Sequence, residues 1–169
     1  NVPMYLEKLS VAEVENRIKK YWSPYHRALK MLLDEKVAEF DAVFYIDWHS
    51  MKSKGNQMNI DSGRERPDFV VSDQDGKTSS RKFRDVIIKN LKSQGYEVAV
   101  NYPYKGAELI KRHGVPTENR HAVQIEINRR LYMDESSFLK NNSFPVLKDN
   151  ILKLTERLVY FTKAEKYYY

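Results

Sequence analysis

The chain has 169 residues, with 29 Lys and Arg against 23 Asp and Glu, and no Cys. This length suits a single domain large enough to bury a core, and 12% aromatic residues argue against a disordered chain. The lack of Cys excludes a disulfide framework, a thiolate metal site and a cysteine nucleophile. The sequence has no run of about 18 apolar residues, so it predicts no membrane span. We take the cytoplasm as the default compartment.

A formal net charge of +6 raises the question of an anionic partner. The basic residues are spread over the whole chain, without a block of like charges and without a recognised nucleic-acid-binding motif. We therefore expect no nucleic-acid partner and favour a small anionic substrate. The first residue is Asn1 rather than an initiator Met, and no signal-peptide pattern follows it. We interpret the chain as processed or as part of a longer protein.

The first quarter of the chain is predicted to be helical. Ser10 followed by Glu13 has the spacing of a capping box, and apolar residues recur at helical spacing through residues 10–22. Pro24 either kinks this helix or begins the next one, and the helical period continues over residues 25–40.

The remainder of the chain alternates short strands with helices. Strands are predicted at residues 42–48, 69–72, 98–102 and 121–128, and helices at residues 79–94, 107–112 and 147–163. The polar stretch 51–67 carries Gly55, Gly63 and Pro67 and is predicted to be a long loop, of the kind that often forms a functional lid. This order predicts an α/β fold in three layers, with a mostly parallel or mixed sheet flanked by helices.

The first candidate site lies at the end of the 42–48 strand. Ligands of open α/β sheets bind beyond the carboxyl ends of the strands, and alternation places Asp47 and His49 on the same face. A histidine there, with an Asp two residues back, suits a metal ligand and the carboxylate that orients it. The alternative is a histidine that only caps the strand.

The second candidate site is the polar face of the 121–128 strand, formed by Gln124, Glu126 and Asn128. Glu126 lies between two isoleucines, so it is either a costly buried charge or a working one. Burial would raise its pKa unless a metal or an Arg lies nearby. The alternative is an edge strand with this face in water.

A third stretch, residues 101–106 (NYPYKG), leads from a strand into a turn that carries Tyr104 and Lys105. Such a turn could hold an anionic substrate, although turn chemistry alone also explains it. The charged cluster at residues 64–66 (RER) is expected to be a solvated loop, with a guanidinium that reaches a substrate carboxylate as the alternative.

The other histidines are expected to be structural. His26 falls inside a helical stretch, His113 precedes Gly114 in a predicted turn, and His121 is interpreted as a packed wall residue near the site.

Five segments, in this order, resemble the N-formylglutamate amidohydrolase family: YWSPYHRAL (21–29), FYIDWHSM (44–51), RPDFVVSDQDG (66–76), NYPYKGAELIKRHGVP (101–116) and HAVQIEINRRLYMDE (121–135). The last two are long and specific, and the likeness runs from about Tyr21 to Glu135. It departs at Trp48, where the family often has a small residue, and at Ala107, where a second Gly is usual.

The family is similar to the zinc carboxypeptidases in fold and chemistry, with a phosphorylase/hydrolase-like arrangement. The resemblance implies that His49 is a zinc ligand, that Glu126 is the general base and acid, and that Asp47 supports the ligand. Three flanking residues are expected to support them by hydrogen bonds: Ser50, Gln124 and Asn128.

The reaction that the resemblance implies is hydrolysis of N-formyl-L-glutamate to formate and L-glutamate, a step of histidine breakdown. Zinc would lower the pKa of its bound water towards about 7, and Glu126 would pass the water's proton to the departing amine. The substrate carboxylates need cationic clamps, for which the candidates are Lys105, Arg112 and Arg129, with Tyr104 beside them. The alternatives are an amidohydrolase for another N-acyl amino acid and a non-catalytic, ligand-binding remnant.

Family members carry further motifs upstream of the YWxPYH helix, and those motifs should supply the remaining zinc ligands. A catalytic zinc normally takes three protein ligands plus water, and only His49 is a firm candidate here. We therefore expect residues 1–169 to be a single domain of this family that is incomplete at its N-terminus, rather than a homologue that has lost its metal.

Overall fold

The structure, a computed structural model, describes residues 4–165. Its regular elements in chain order are α1 (Val11–Arg17), α2 (Ser23–Phe40), β1 (Val43–Met51), β2 (Phe69–Ser72), α3 (Arg81–Ser93), β3 (Val98–Val100), α4 (Glu108–His113), β4 (Arg120–Asn128) and α5 (Phe144–Glu165). Each helix and strand predicted from the sequence is present, and only the ends differ. None of the helices in this range is long and apolar enough to cross a membrane.

The N-terminal helices follow the signals in the sequence. The Ser10 hydroxyl accepts a hydrogen bond from the Glu13 N–H and caps α1. A single wider turn, Ile18–Trp22, has π-helical hydrogen bonds and joins α1 to α2. Pro24 lies in the first turn of α2, where its missing N–H costs nothing, so it begins the second helix.

The four strands form one mixed sheet in the order β1-β4-β2-β3. β1 is parallel to β4 and β2 is parallel to β3, whereas β2 and β4 are antiparallel. The predicted α/β fold is confirmed, in its mixed form. β4 lies between two strands and is buried along most of its length, so the alternative in which it is an edge strand with one face in water is wrong.

One face of the sheet packs against α3 and α5. Phe83, Ile87 and Leu91 recur at helical spacing along α3 and are fully buried with Leu154 of α5. They meet the apolar side chains of the strands: Phe69, Val71, Val123 and Ile125. Each buried side chain of this size contributes roughly 1.5–3 kcal/mol, so this layer holds most of the stability.

The opposite face carries α2 and α4, which makes the third layer. Ile110 of α4 is fully buried, and a Cβ added at Gly106 would lie 2.1 Å from the Ile110 Cδ1. Gly106 also has a φ of +96°, which strongly favours glycine. The start of α4 therefore approaches the sheet closely, on the face that carries the polar side chains of β1 and β4.

Candidate active site

The two strand ends predicted as sites lie side by side. β1 and β4 are parallel neighbours, and their register places His49 opposite Glu126 and Asp47 opposite Gln124. Because adjacent strands are about 4.8 Å apart and these side chains share a face, the imidazole and the carboxylate belong to one site. Sequence spacing could not give this register, since the two segments are far apart in the chain.

Asp47 holds the imidazole of His49. The Nε2 of His49 lies 3.0 Å from the Oδ2 of Asp47, whose side chain is buried while the imidazole is partly exposed. A carboxylate can only accept, so the ring proton lies on Nε2 and the lone pair of Nδ1 faces the other way. A metal-binding histidine is commonly oriented in this manner, with one nitrogen held by a carboxylate.

Glu126 is a buried carboxylate that a neighbouring amide keeps in place. The Nε2 of Gln124 donates to the Oε1 of Glu126 over 2.9 Å, and the Oε1 of Gln124 accepts from the Ala107 N–H over 2.7 Å. Burial raises the pKa of Glu126 above its usual value, although the electrostatic influence of the neighbouring His49 and the Gln124 hydrogen bond oppose this shift. A raised pKa makes a carboxylate a stronger base, which favours its uptake of a proton during a reaction.

Arg66 lies near the site, although the sequence predicted a functional role for the 64–66 cluster only as the alternative to a solvated loop. Its guanidinium is buried, donates to both carboxylate oxygens of Asp61 over 2.6 and 2.9 Å, and lies 5.1 Å from the ring centre of Tyr104. Its charge also acts to lower the pKa of Glu126. The prediction that residues 64–66 are solvated is therefore wrong for Arg66, because the loop folds back and buries it against Asp61.

Asn128 joins the end of β4 to the same loop. Its Nδ2 donates to the carbonyls of Arg66 and Pro67 over 3.1 and 3.0 Å, and its Oδ1 accepts from the Arg130 N–H. Residues 51–67 contain no regular element beyond the end of β1, as predicted, yet their base is fixed by these bonds and by the buried Arg66–Asp61 pair. Met58, at the tip, is exposed.

Two of the predicted substrate clamps are engaged in exposed ion pairs. Lys105 lies 2.7 Å from the Oδ2 of Asp75, in the turn that follows β2. Arg112 pairs with Glu108 one helical turn earlier, and its guanidinium lies 4.5 Å from the ring centre of Trp22. Neither contact joins these cations to Glu126, and their role in binding substrate stays a prediction.

Arg129, the third candidate to bind a substrate carboxylate, contacts the face of β1 opposite to His49. The Nε of Arg129 donates to the Oγ of Ser50 over 3.2 Å, and strand alternation directs Ser50 away from the face of His49. Tyr104, in contrast, is brought to the site through its contact with Arg66. The structure thus gathers Asp47, His49, Gln124 and Glu126 on one face, and Tyr104 contacts Arg66. It does not gather Ser50 or Arg129 on that face.

The described residues can be compared with what a zinc site requires. Within this range no group of three or more His, Asp or Glu side chains is placed to hold a metal ion. His49, with Nδ1 available and Asp47 behind it, fits one ligand position, and a catalytic zinc normally has three protein ligands. The described residues therefore offer one candidate ligand for such a site and do not complete it.

A pair of histidines was also missed. The sequence predicted a turn at His113, but this residue is the last of α4. Its Nε2 lies 2.9 Å from the Nδ1 of His26 in α2. The rings are stacked, burial lowers the pKa of His113, and the contact between the two ring nitrogens ties α2 to α4. Because each histidine lies on its own helix, no local motif marked the pair.

Residues 1–133 match the family model described as N-formylglutamate amidohydrolase. The chain belongs to the N-formylglutamate amidohydrolase family. It is 28% identical over 142 residues to an N-formylglutamate deformylase of Pseudomonas aeruginosa, which covers 80% of this chain and 51% of the relative. It is 27% identical over 141 residues to the N-formylglutamate deformylase of Pseudomonas putida, with 79% and 50% covered. The chain thus spans about half the length of the curated relatives it matches.

Solved structures give the same family and fold. The crystal structure of N-formylglutamate amidohydrolase from Ralstonia eutropha JMP134 is 39% identical, with a TM-score of 0.85, and the match covers 96% of this chain and 59% of that one. A gene product of Agrobacterium tumefaciens is 18% identical with a TM-score of 0.66, over 91% of this chain and 57% of that one, and it supports the fold alone.

Proposed function

We propose that this chain is part of a metal-dependent hydrolase that cleaves the amide of N-formyl-L-glutamate to formate and L-glutamate. The observation that carries the proposal is the pairing of His49 with Glu126 across β1 and β4, in a chain of this family. The names of the two Pseudomonas relatives support the same reaction. In the proposed reaction the scissile bond is the formamide and the acceptor is water.

Glu126 is proposed as the residue that moves the proton. Its carboxylate takes a proton from the attacking water and returns it to the amide nitrogen, so that the C–N bond breaks and the amine of glutamate leaves neutral. Gln124, held by the Ala107 N–H, keeps the carboxylate oriented through both steps. A pKa raised by burial suits this double role, because the group must be a base first and an acid afterwards.

We further propose that the metal is zinc and that Nδ1 of His49 is one of its ligands. Asp47 would hold the imidazole in the required tautomer. When bound, zinc supplies a Lewis acid that polarises the formyl carbonyl and makes water more acidic. The other ligands would come from residues outside 4–165.

The substrate carboxylates require cations, and Lys105, Arg112 and Arg129 remain our candidates, with Tyr104 at the wall of the site. To bind substrate, each cation would have to exchange its present partner for a substrate carboxylate. A role in histidine degradation in the cytoplasm belongs to the same proposal. The alternatives are hydrolysis of another N-acyl amino acid and a non-catalytic remnant that binds a carboxylated ligand.

The deciding experiment measures zinc content and formate release from N-formylglutamate, for the 169-residue chain and for the longest product of its gene. We expect zinc and formate release in the longer protein. Release of acid from other N-acyl amino acids alone would favour the first alternative. If neither polypeptide binds zinc or turns over any N-acyl amino acid, the proposed hydrolysis is wrong and the remnant is favoured.

A further inference from the structure

The backbone that leads into α4 is held by the turn that follows β2. Three successive carbonyl groups, those of residues 104–106, accept hydrogen bonds from residues 72–74. The last of these bonds runs from the Nε2 of Gln74 to the carbonyl of Gly106 over 2.5 Å. The turn after β2 therefore holds the chain up to the peptide group that joins Gly106 to Ala107, just before α4 begins.

This peptide group is the middle of a chain of hydrogen bonds that ends on Glu126. Its carbonyl accepts from Gln74, and its N–H, which belongs to Ala107, donates to the Oε1 of Gln124. The Nε2 of Gln124 donates in turn to the Oε1 of Glu126. The peptide group and the Gln124 amide each accept on one side and donate on the other. All three bonds therefore point towards the carboxylate, and hydrogen bonds aligned in this manner strengthen one another.

The direction of each bond is fixed by the chemistry of the backbone groups. A carbonyl can only accept, so the Gly106 carbonyl requires the Nε2 of Gln74 beside it. An N–H can only donate, so the Ala107 N–H requires the Oε1 of Gln124. The amide of Gln124 must then present its Nε2 to Glu126. If the peptide group turned over, Gln124 would lose the partner that keeps its amide in this orientation.

Two backbone angles show why a side chain is needed to hold this peptide group. Gly106 has a φ of +96°, and because glycine is the least restricted residue, its own conformation does not fix the peptide that follows. Gln74 has a φ of +52°, a left-handed conformation that Asn, Asp and Gly adopt more readily than Gln. An asparagine at position 74 would suit the turn better but would be one methylene shorter. The longer side chain is what reaches the Gly106 carbonyl.

We propose that Gln74 is a positioning residue that acts on Glu126 through two other amide groups. Its side chain fixes the Gly106–Ala107 peptide, and this peptide fixes the amide of Gln124. That amide orients the Glu126 carboxylate towards the attacking water. The inference rests on the proposed function for its effect on the rate of hydrolysis, whereas the hydrogen bonds can be tested without turnover.

Two variants separate the Gln74 hydrogen bond from the fold of the turn. Gln74→Asn keeps the amide and suits the left-handed turn but is too short for the bond, and Gln74→Glu keeps the length but loses the donor. Gln94→Asn is the matched control, because the amide of Gln94 donates to Asn90 at the end of α3, on the opposite face of the sheet. Circular dichroism reports on folding in all three variants, and every measurement uses the longest product of the gene.

The first measurement is amide hydrogen exchange, resolved by NMR. We expect the Ala107 N–H to exchange at least about tenfold faster in both Gln74 variants, because its peptide group is no longer held against Gln124. The N–H groups of Lys111 and Gly114, which bond to backbone carbonyls within α4, should keep their rates. Gln94→Asn should change none of these rates. Unchanged exchange at Ala107 in both Gln74 variants, or faster exchange throughout α4, would overturn the inference.

The second measurement is the steady-state kinetics of formate release. A misplaced base slows the chemical step without removing contacts to the substrate, so kcat should fall at least about tenfold in both Gln74 variants while KM changes less than about threefold. Gln94→Asn should keep both constants. A smaller fall in kcat, or a loss that lies mainly in KM, contradicts the positioning role. If the wild type releases no formate while exchange at Ala107 still depends on Gln74, the hydrogen-bond chain is supported and the proposed function fails.

Discussion

The buried ion pair of Arg66 and Asp61 offers a sharp test of how the loop beside the site is held. Both side chains are only 3% exposed, and Arg66 binds Asp61 through two hydrogen bonds. Arg66→Met removes the cation and leaves a buried carboxylate without it. Breaking one partner of such a pair costs about 3–5 kcal/mol, a large share of the total stability of a domain.

Local opening of the loop limits this loss of stability. If residues 52–66 open locally, Asp61 reaches water, and the free energy of unfolding falls by no more than the cost of that opening. We therefore expect one of two results. Either the free energy of unfolding in urea falls by about 3–5 kcal/mol, or it falls by less and trypsin cleaves the loop faster. Arg17→Met is the control, because its pair with Glu13 is more than two-fifths exposed on each side and such exposed pairs contribute little to stability.

The pH dependence gives a second measurement with a defined sign. Arg66 holds the pKa of Asp61 below its usual value, so this contribution to stability is present above the unfolded value of 3.8 and is lost as pH falls through the lower, folded value. In Arg66→Met, the largest cause that lowers the pKa of Asp61 is lost, so burial raises this pKa against the weaker effects of a backbone hydrogen bond and of Arg64. The gap in stability between wild type and variant should therefore narrow as pH falls from 7 towards 4. A variant with unchanged stability and unchanged loop cleavage would refute the reasoning.

Four further predictions concern the proposed active site. Glu126→Gln should reduce formate release by at least about a hundredfold with zinc content nearly unchanged, and lost metal or retained activity would contradict the general-base role. In the active protein, the rate should fall as pH drops through the raised pKa of Glu126, because the base is then protonated. His49→Ala should lower zinc occupancy in equilibrium dialysis, whereas unaltered affinity would leave His49 structural. A substrate analogue should slow proteolysis at the tip of the 51–67 loop, and unchanged cleavage would end the lid hypothesis.

The sequence predicted the elements of the fold well because each carries a local signal. Ser10 caps α1, Gly95 follows α3, and the apolar run from Ala42 to Trp48 is typical of a strand. This run also predicted a buried strand, which is wrong within the described sheet, because β1 lies at its edge and is only partly buried. The strand order was not predicted, since pairing between segments distant in the chain leaves no local mark. The same limit applies to the buried position of Arg66 and to the pairing of His26 with His113.

In the candidate site, too, some residues could be predicted from the sequence and others could not. Asp47, His49 and Glu126 could be singled out because alternation along a strand places polar groups where apolar ones are expected. The sequence could not show which of the cations lies nearest the site, because the position of a long side chain depends on the residue with which it pairs. Asp75 and Glu108 determine where Lys105 and Arg112 lie, and neither contact follows from the spacing of motifs.

The two positions at which the chain departs from the family pattern leave the site intact. Ala107 has a φ of −105°, which any residue adopts, and its N–H still reaches Gln124; the neighbouring Gly106 has the left-handed conformation that favours glycine. Trp48 alternates away from the face of Asp47 and His49 and is partly exposed, so its bulk does not enter the space beside Glu126. Both substitutions are therefore compatible with a working hydrolase, and they give no support to a non-catalytic remnant.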